Sequence, residues 1–252
     1  GVRAARGPEA PWASWDGEEP TSLEWFNGTV LRTELGDAEL ARRLGALCLE
    51  LEAQGGGRSV SNAGGFQSKD LTWRTDAALR EFQELLHEPL ASFLRRSGQG
   101  QPPAGLNTGQ ELCVRAVAVD LWANVNRPGN RNVIHNHGEP TPSVVASGVY
   151  YPEVGADEDL ATGAGAARLR LFVPSGTLEL APRSGALVLF PTNLLHETEA
   201  VGPREGVRLS LAFNLRVRWL DRPLLRAAAR GDASRILQLV EQEGEDADAP
   251  EP

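Results

Sequence analysis

ALVLFPTNLLH, residues 186–196, is a five-residue apolar run, a proline turn and a histidine. Segments of the same kind fill the second half of the chain: Leu112 to Trp122, Val144 to Tyr151, Arg168 to Val173, Thr177 to Leu180 and Val207 to Leu215, divided by Pro and Gly. With no helical pattern between them, they predict an antiparallel sandwich or barrel. Two helices precede this half. Asp37 is a good N-cap, and Leu40, Leu44, Leu47 and Leu51 recur on one face until Gly55-Gly56-Gly57 stops the run. A second helical stretch starts near Thr75 and sets Leu79, Phe82, Leu86, Leu90 and Phe93 on one side, with Pro89 expected to kink it or to start a new helix. The fold class is therefore mainly β with helical additions (α+β), a barrel buttressed by N-terminal helices.

The chain has 252 residues, 41% hydrophobic and 23% charged, enough for one large domain. No apolar run reaches the roughly 18 residues of a membrane span. A net charge of −9 speaks against phosphate-backbone binding, so no nucleic-acid partner is expected. Cys48 and Cys113 sit in apolar stretches and read as reduced core residues, which fits a cytoplasmic location. Residues 1–22 read as a flexible lead-in without a signal-peptide core, and 23–220 as the barrel domain. The absence of methionine, even at position 1, suggests an excised domain or a processed fragment. Residues 221–252 read as a helical hairpin: Leu224 to Asp232, then Ile236, Leu237 and Val240. It resembles the start of an ankyrin repeat, with a protein partner as its expected role and an ordinary hairpin as the alternative.

Three of the four histidines lie in the strand-rich half. Residues i and i+2 of a strand share a face, so His135 and His137 can present two imidazoles to one ion, and His196 can supply a third after the Pro191 to Leu195 turn. Such a set with open positions suits Fe(II). The competing reading makes His135 and His137 polar loop residues beside Asn132 and Asn136. On the next strand, Arg208 and Ser210 share a face, and a guanidinium fork with a hydroxyl matches the far carboxylate of a dicarboxylate. The alternative is a surface strand pair like Arg216 and Arg218.

Residues 23 to 219 resemble the 2-oxoglutarate/Fe(II)-dependent oxygenase family related to prolyl hydroxylases. Six stretches in order carry the likeness: Ser61-Asn62-Ala63-Gly64-Gly65-Phe66-Gln67-Ser68; Trp122-Ala123-Asn124-Val125-Asn126; His135-Asn136-His137; Ser147-Gly148-Val149-Tyr150-Tyr151-Pro152; Ala186 to His196; and Arg208-Leu209-Ser210-Leu211-Ala212-Phe213-Asn214. The resemblance implies a double-stranded β-helix (jelly roll), Fe(II) and 2-oxoglutarate as cofactors, and His135 and His196 as ligands. Arg208 is then the partner of the C5 carboxylate, helped by Tyr151, and Asn124 is a polar contact to the co-substrate. One departure stands out: the family's usual H-x-D or H-x-E carboxylate is His137 here. Register relative to Tyr151 favours His137 as third ligand, and Glu139 competes for the place. The implied activity is oxidation, typically hydroxylation, of a small-molecule or peptide substrate coupled to decarboxylation of 2-oxoglutarate to succinate. The alternatives are a three-histidine dioxygenase working without 2-oxoglutarate and an inert barrel that binds a protein partner. Phe66, Gln67, Trp73 and Trp122 are candidates for the mouth of the site, or for the core.

Overall fold

The computed structural model describes residues 21–25, 28–97, 113–139, 144–155, 167–203 and 206–220, with Ser234, Leu237 and Gln238. The ankyrin-like hairpin expected over 221–252 lies outside the described residues apart from those last three, and so does the lead-in over 1–20. The first strand begins at Thr21, inside the stretch read as lead-in.

The element order is β1 (Thr21–Trp25), β2 (Gly28–Glu34), α1 (Ala38–Gln54), β3 (Asn62–Ala63), β4 (Phe66–Gln67), α2 (Ala77–Leu85), α3 (His87–Ser97) and β5 (Cys113–Asn126). It continues with β6 (Arg131–Asn132), β7 (Ala146–Val154), β8 (Leu169–Val173), β9 (Gly176–Leu180), β10 (Ala186–Phe190), β11 (His196–Thr198) and β12 (Arg208–Leu220). Seven strands form one sheet in the order β1-β2-β10-β7-β12-β5-β4, and three form a second in the order β11-β8-β9. Every pairing is antiparallel. This is a double-stranded β-helix backed by helices.

The helices form where the sequence dictates. The Asp37 carboxylate accepts from the Leu40 amide at 2.8 Å and starts α1, and Gly55, at φ 72°, ends it. The second helical stretch breaks at Leu86, and a new helix starts there with Pro89 near its beginning, the second of the two outcomes expected. Pro89 sits in the first turn of α3, where a missing amide proton costs nothing.

Two apolar clusters lie on either side of the large sheet. The outer one joins Leu40, Leu44, Leu79, Phe82 and Phe93 of the helices to Tyr150, Leu187, Leu189, Leu211 and Phe213 of the sheet. Phe82 is its hub, with ring centroids 5.2 Å from Tyr150 and 5.6 Å from Phe213. The inner cluster joins Val188 and Phe190 to Leu169, Leu171 and Leu178 of the small sheet. Gly148 explains itself by contact: a Cβ there would meet the Phe213 ring at 2.5 Å.

Candidate functional site

His135 and His196 are brought together by backbone pairing. Each donates its amide to the other's carbonyl, at 3.0 and 2.9 Å, so the two residues face one another and project to the same side. The His137 amide donates to Thr192 at 2.8 Å, which continues the pairing and returns the third ring to the same face. One ring nitrogen from each of the three lies within 4.8 Å of the others, the geometry of a group able to hold a metal ion. His196 is buried, while His135 and His137 are half-buried.

All three rings are oriented through Nδ1. In His135 it lies 2.7 Å from the Val133 carbonyl, and in His196 2.8 Å from the Leu194 carbonyl. A carbonyl only accepts, so Nδ1 carries the proton in both and Nε2 is left bare. In His137, Nδ1 lies 2.6 Å from Asn214 Oδ1 and 2.8 Å from Ser147 Oγ. Burial keeps the rings neutral. It lowers the His135 pKa, takes His137 to about 4, partly offset by the hydrogen bond to Asn214, and takes His196 to about 3, with repulsion from His135 adding to the effect. Three neutral imidazoles with engaged outer nitrogens suit a first-row transition metal.

The rings open into a cleft of about 460 Å³, its mouth included, lying between the two sheets. Arg208, Ser210, Asn124 and Tyr151 all line it, together with Trp122. Arg208 is 2% exposed and reaches across to the small sheet: it donates to the Ala167 carbonyl at 2.8 Å and to Thr198 Oγ1 at 2.9 Å. Ser210 Oγ accepts from Asn124 Nδ2 at 3.4 Å, and the buried Asn124 Oδ1 has no hydrogen-bond partner among the described residues. Such an orphaned acceptor in a cavity wall suits a ligand or water that donates to it. Burial raises the Tyr151 phenol, opposed by the charges of Arg208 and Arg32.

Glu139 is not part of the cluster. It is exposed, and its carboxylate accepts from Asn193 Nδ2 at 3.2 Å. Of the four residues considered for the mouth, Trp122 lines the cleft, with its ring 5.4 Å from that of His137 and the Arg58 guanidinium stacked over it at 5.5 Å. Phe66 packs against the outer core, Gln67 is buried, and Trp73 is 73% exposed with its indole N–H donating to the Asp70 carbonyl.

A profile of the family described as "Putative 2OG-Fe(II) oxygenase" matches residues 120–214, the stretch from β5 to β12 that carries the cleft. Among solved structures, a prolyl-4-hydroxylase from Pseudomonas putida superposes with a TM-score of 0.53 at 18% identity, over 75% of this chain and 92% of that one. The non-heme α-ketoglutarate dependent epimerase SnoN of nogalamycin biosynthesis gives 0.50 at 11% identity, over 73% and 76%. At these identities the likeness shows the fold. No curated protein matches by sequence. Residues 120–214 are thus similar to 2OG-Fe(II) oxygenases by the family profile, and the structural neighbours share their fold. No helix among the described residues is long and apolar enough to cross a membrane.

Proposed function

We propose that the protein is a 2-oxoglutarate-dependent oxygenase in which His135, His137 and His196 hold Fe(II). The observation that carries this reading is the convergence of three bare Nε2 atoms on a cleft that also contains a buried arginine. Arg208 binds the C5 carboxylate of 2-oxoglutarate through its fork, with Ser210 and Tyr151 alongside. Asn124 Oδ1 accepts from a water beside the co-substrate, because the 2-oxoglutarate dianion itself offers only acceptors. The iron and 2-oxoglutarate supply the oxidising chemistry, in which O₂ converts the keto acid to succinate and CO₂ and oxidises a C–H bond of the substrate.

The chain's own residues bind, orient and exclude. Fixing Nδ1 of each ring points each Nε2 at one place before any ligand arrives, so little reorganisation is left to be done on binding. Phe190, Leu169 and Val149 make the cleft wall apolar beside the histidines, which strengthens the pairing of Arg208 with a carboxylate and limits water. The fold neighbours include a prolyl hydroxylase and an epimerase, so the class of substrate, small molecule or peptide, follows from the rim and not from the barrel.

The test is a titration of the anaerobic Fe(II) protein with 2-oxoglutarate, following the metal-to-ligand charge-transfer band that chelation by a 2-oxo acid produces. Arg208→Ala should weaken binding by about 2 to 5 kcal/mol with iron content unchanged. Lysine is a poor replacement because it lacks the bidentate fork. The absence of a band in the unaltered protein would leave a three-histidine dioxygenase that does not use 2-oxoglutarate, or an inert barrel.

A further inference from the structure

Two of the three histidines are oriented by the main chain, and the third is not. His135 and His196 each use the carbonyl two residues upstream, which any side chain at that position would still provide. His137 uses side chains from two other strands. Asn214 sits on β12, opposite Ser147 on β7 and opposite Asp120 on β5, so Asp120, Asn214 and Ser147 form one row across three strands. Residues directly opposite one another in antiparallel strands share a face.

The direction of each hydrogen bond in the row follows from its exposed end. The Asp120 carboxylate only accepts, so the atom of Asn214 that lies 2.9 Å from it is the amide nitrogen. The Asn214 oxygen therefore faces inward, where Ser147 Oγ donates to it at 2.7 Å. Ser147, having spent its proton there, accepts from His137 Nδ1, and Asn214 Oδ1 accepts from the same Nδ1. The ring has no choice of tautomer: Nδ1 holds the proton and Nε2 faces His135 and His196.

We propose that Ser147 and Asn214 are positioning residues that fix the tautomer and direction of His137, and that Asp120 sets the amide of Asn214. This rests on the reading of the three histidines as metal ligands. It supplies a role for two motif residues, the serine of Ser147-Gly148-Val149-Tyr150-Tyr151 and the final asparagine of Ala212-Phe213-Asn214. It also locates the carboxylate that the first coordination shell lacks. The negative charge stands two hydrogen bonds behind the ligand, where it orients an imidazole instead of binding the ion.

The experiment uses ¹⁵N histidine spectra of the metal-free protein at neutral pH, with Co(II) affinity measured separately. In the unaltered protein all three rings should appear as Nδ1–H tautomers. In Ser147→Ala/Asn214→Leu both acceptors are gone, so His137 alone should shift to a mixture containing Nε2–H, while His135 and His196 stay unchanged as internal controls. Co(II) affinity should fall about 10- to 100-fold, the usual cost of losing an outer-shell partner. Asp120→Ala, at an exposed position, frees the Asn214 amide to turn its N–H toward the ring and should give a smaller shift of the same sign. This single variant decides the matter if the double variant loses the His135 and His196 signals through unfolding. An Nδ1–H tautomer retained by His137 in the folded variants overturns the proposal, whatever the metal does. Tautomer shifts as expected in a protein that never binds Co(II) would uphold the positioning and sink the metal reading instead.

Discussion

The two sheets that enclose the cleft are built differently. β10, in the large sheet, is buried at all five positions, because Leu187 and Leu189 face the helices while Val188 and Phe190 face the small sheet. β8, in the small sheet, alternates: Leu169, Leu171 and Val173 are buried, and Arg170 between them pairs with Glu179, Glu197 and Glu199. One strand is a layer within a stack and the other is a lid over it. The large sheet is thus the frame that fixes the backbone, and the small sheet, carrying His196 and Thr198, closes the cleft from the other side.

The largest effect should fall at the seam between them. His137→Ala should lose essentially all bound iron, whereas Glu139→Ala should keep most of it, as elemental analysis after anaerobic loading will show. If the glutamate variant is the one that empties, the site has a carboxylate ligand and the pairing of His137 with Asn214 is incidental to it. Next comes the frame. Phe82→Ala removes the hub of the outer core and should cost about 3 to 5 kcal/mol by urea denaturation. Leu171→Ala in the lid should cost less, about 2 to 3 kcal/mol, because a three-stranded layer can settle into the space. Equal losses would mean that frame and lid act as one core.

Acid should act on the seam as well. His137 and His196 are held neutral in the fold, with pKa lowered from 6.5 to about 4 and about 3. The unfolded chain therefore binds more protons below pH 6.5, and stability of the metal-free protein falls from there until pH passes below the folded values. A pH series of urea midpoints checks this, and His137→Gln should flatten part of the slope. The smallest effect belongs to the outside of the lid. Arg170→Ala, in a half-exposed ion-pair network, should cost about 0.2 to 1 kcal/mol and less in high salt.

Much of this was legible in the residues. The apolar run 186–190 and the alternation of 168–173 are the frame and lid strands, and the Asp37 cap and the Arg208/Ser210 face lie where period and chemistry put them. The H-x-H pair, in contrast, meets His196 from a segment outside the named strands, held by single backbone pairings and not by strand period. The β1–β2 hairpin was not legible, because Thr21–Trp25 has no strong alternation and gains its order by pairing with β2. Nor was the row Asp120–Asn214–Ser147. Its members are far apart in sequence, and each alone is an ordinary polar strand residue. Their meeting depends on which strands adjoin and in what register, which local pattern does not encode. Pro89 marked the start of a new helix and left open only the alternative of a kink, since a proline signals a boundary nearby without fixing its form.

Arg208, Ser210, Ala212 and Asn214 point inward from β12, and Leu209, Leu211, Phe213 and Leu215 point to the helices. A single inserted or deleted residue near Arg208 would exchange the two sets for as far as the slip ran, sending an arginine into the oily layer and leucines into the cleft. Substitution can therefore tune this site one position at a time, but length change cannot. In a lineage of such proteins β12 should be inherited as an ungapped block, while insertions accumulate in the connections between strands. A deletion scan read out by soluble yield and metal content would trace that block residue by residue.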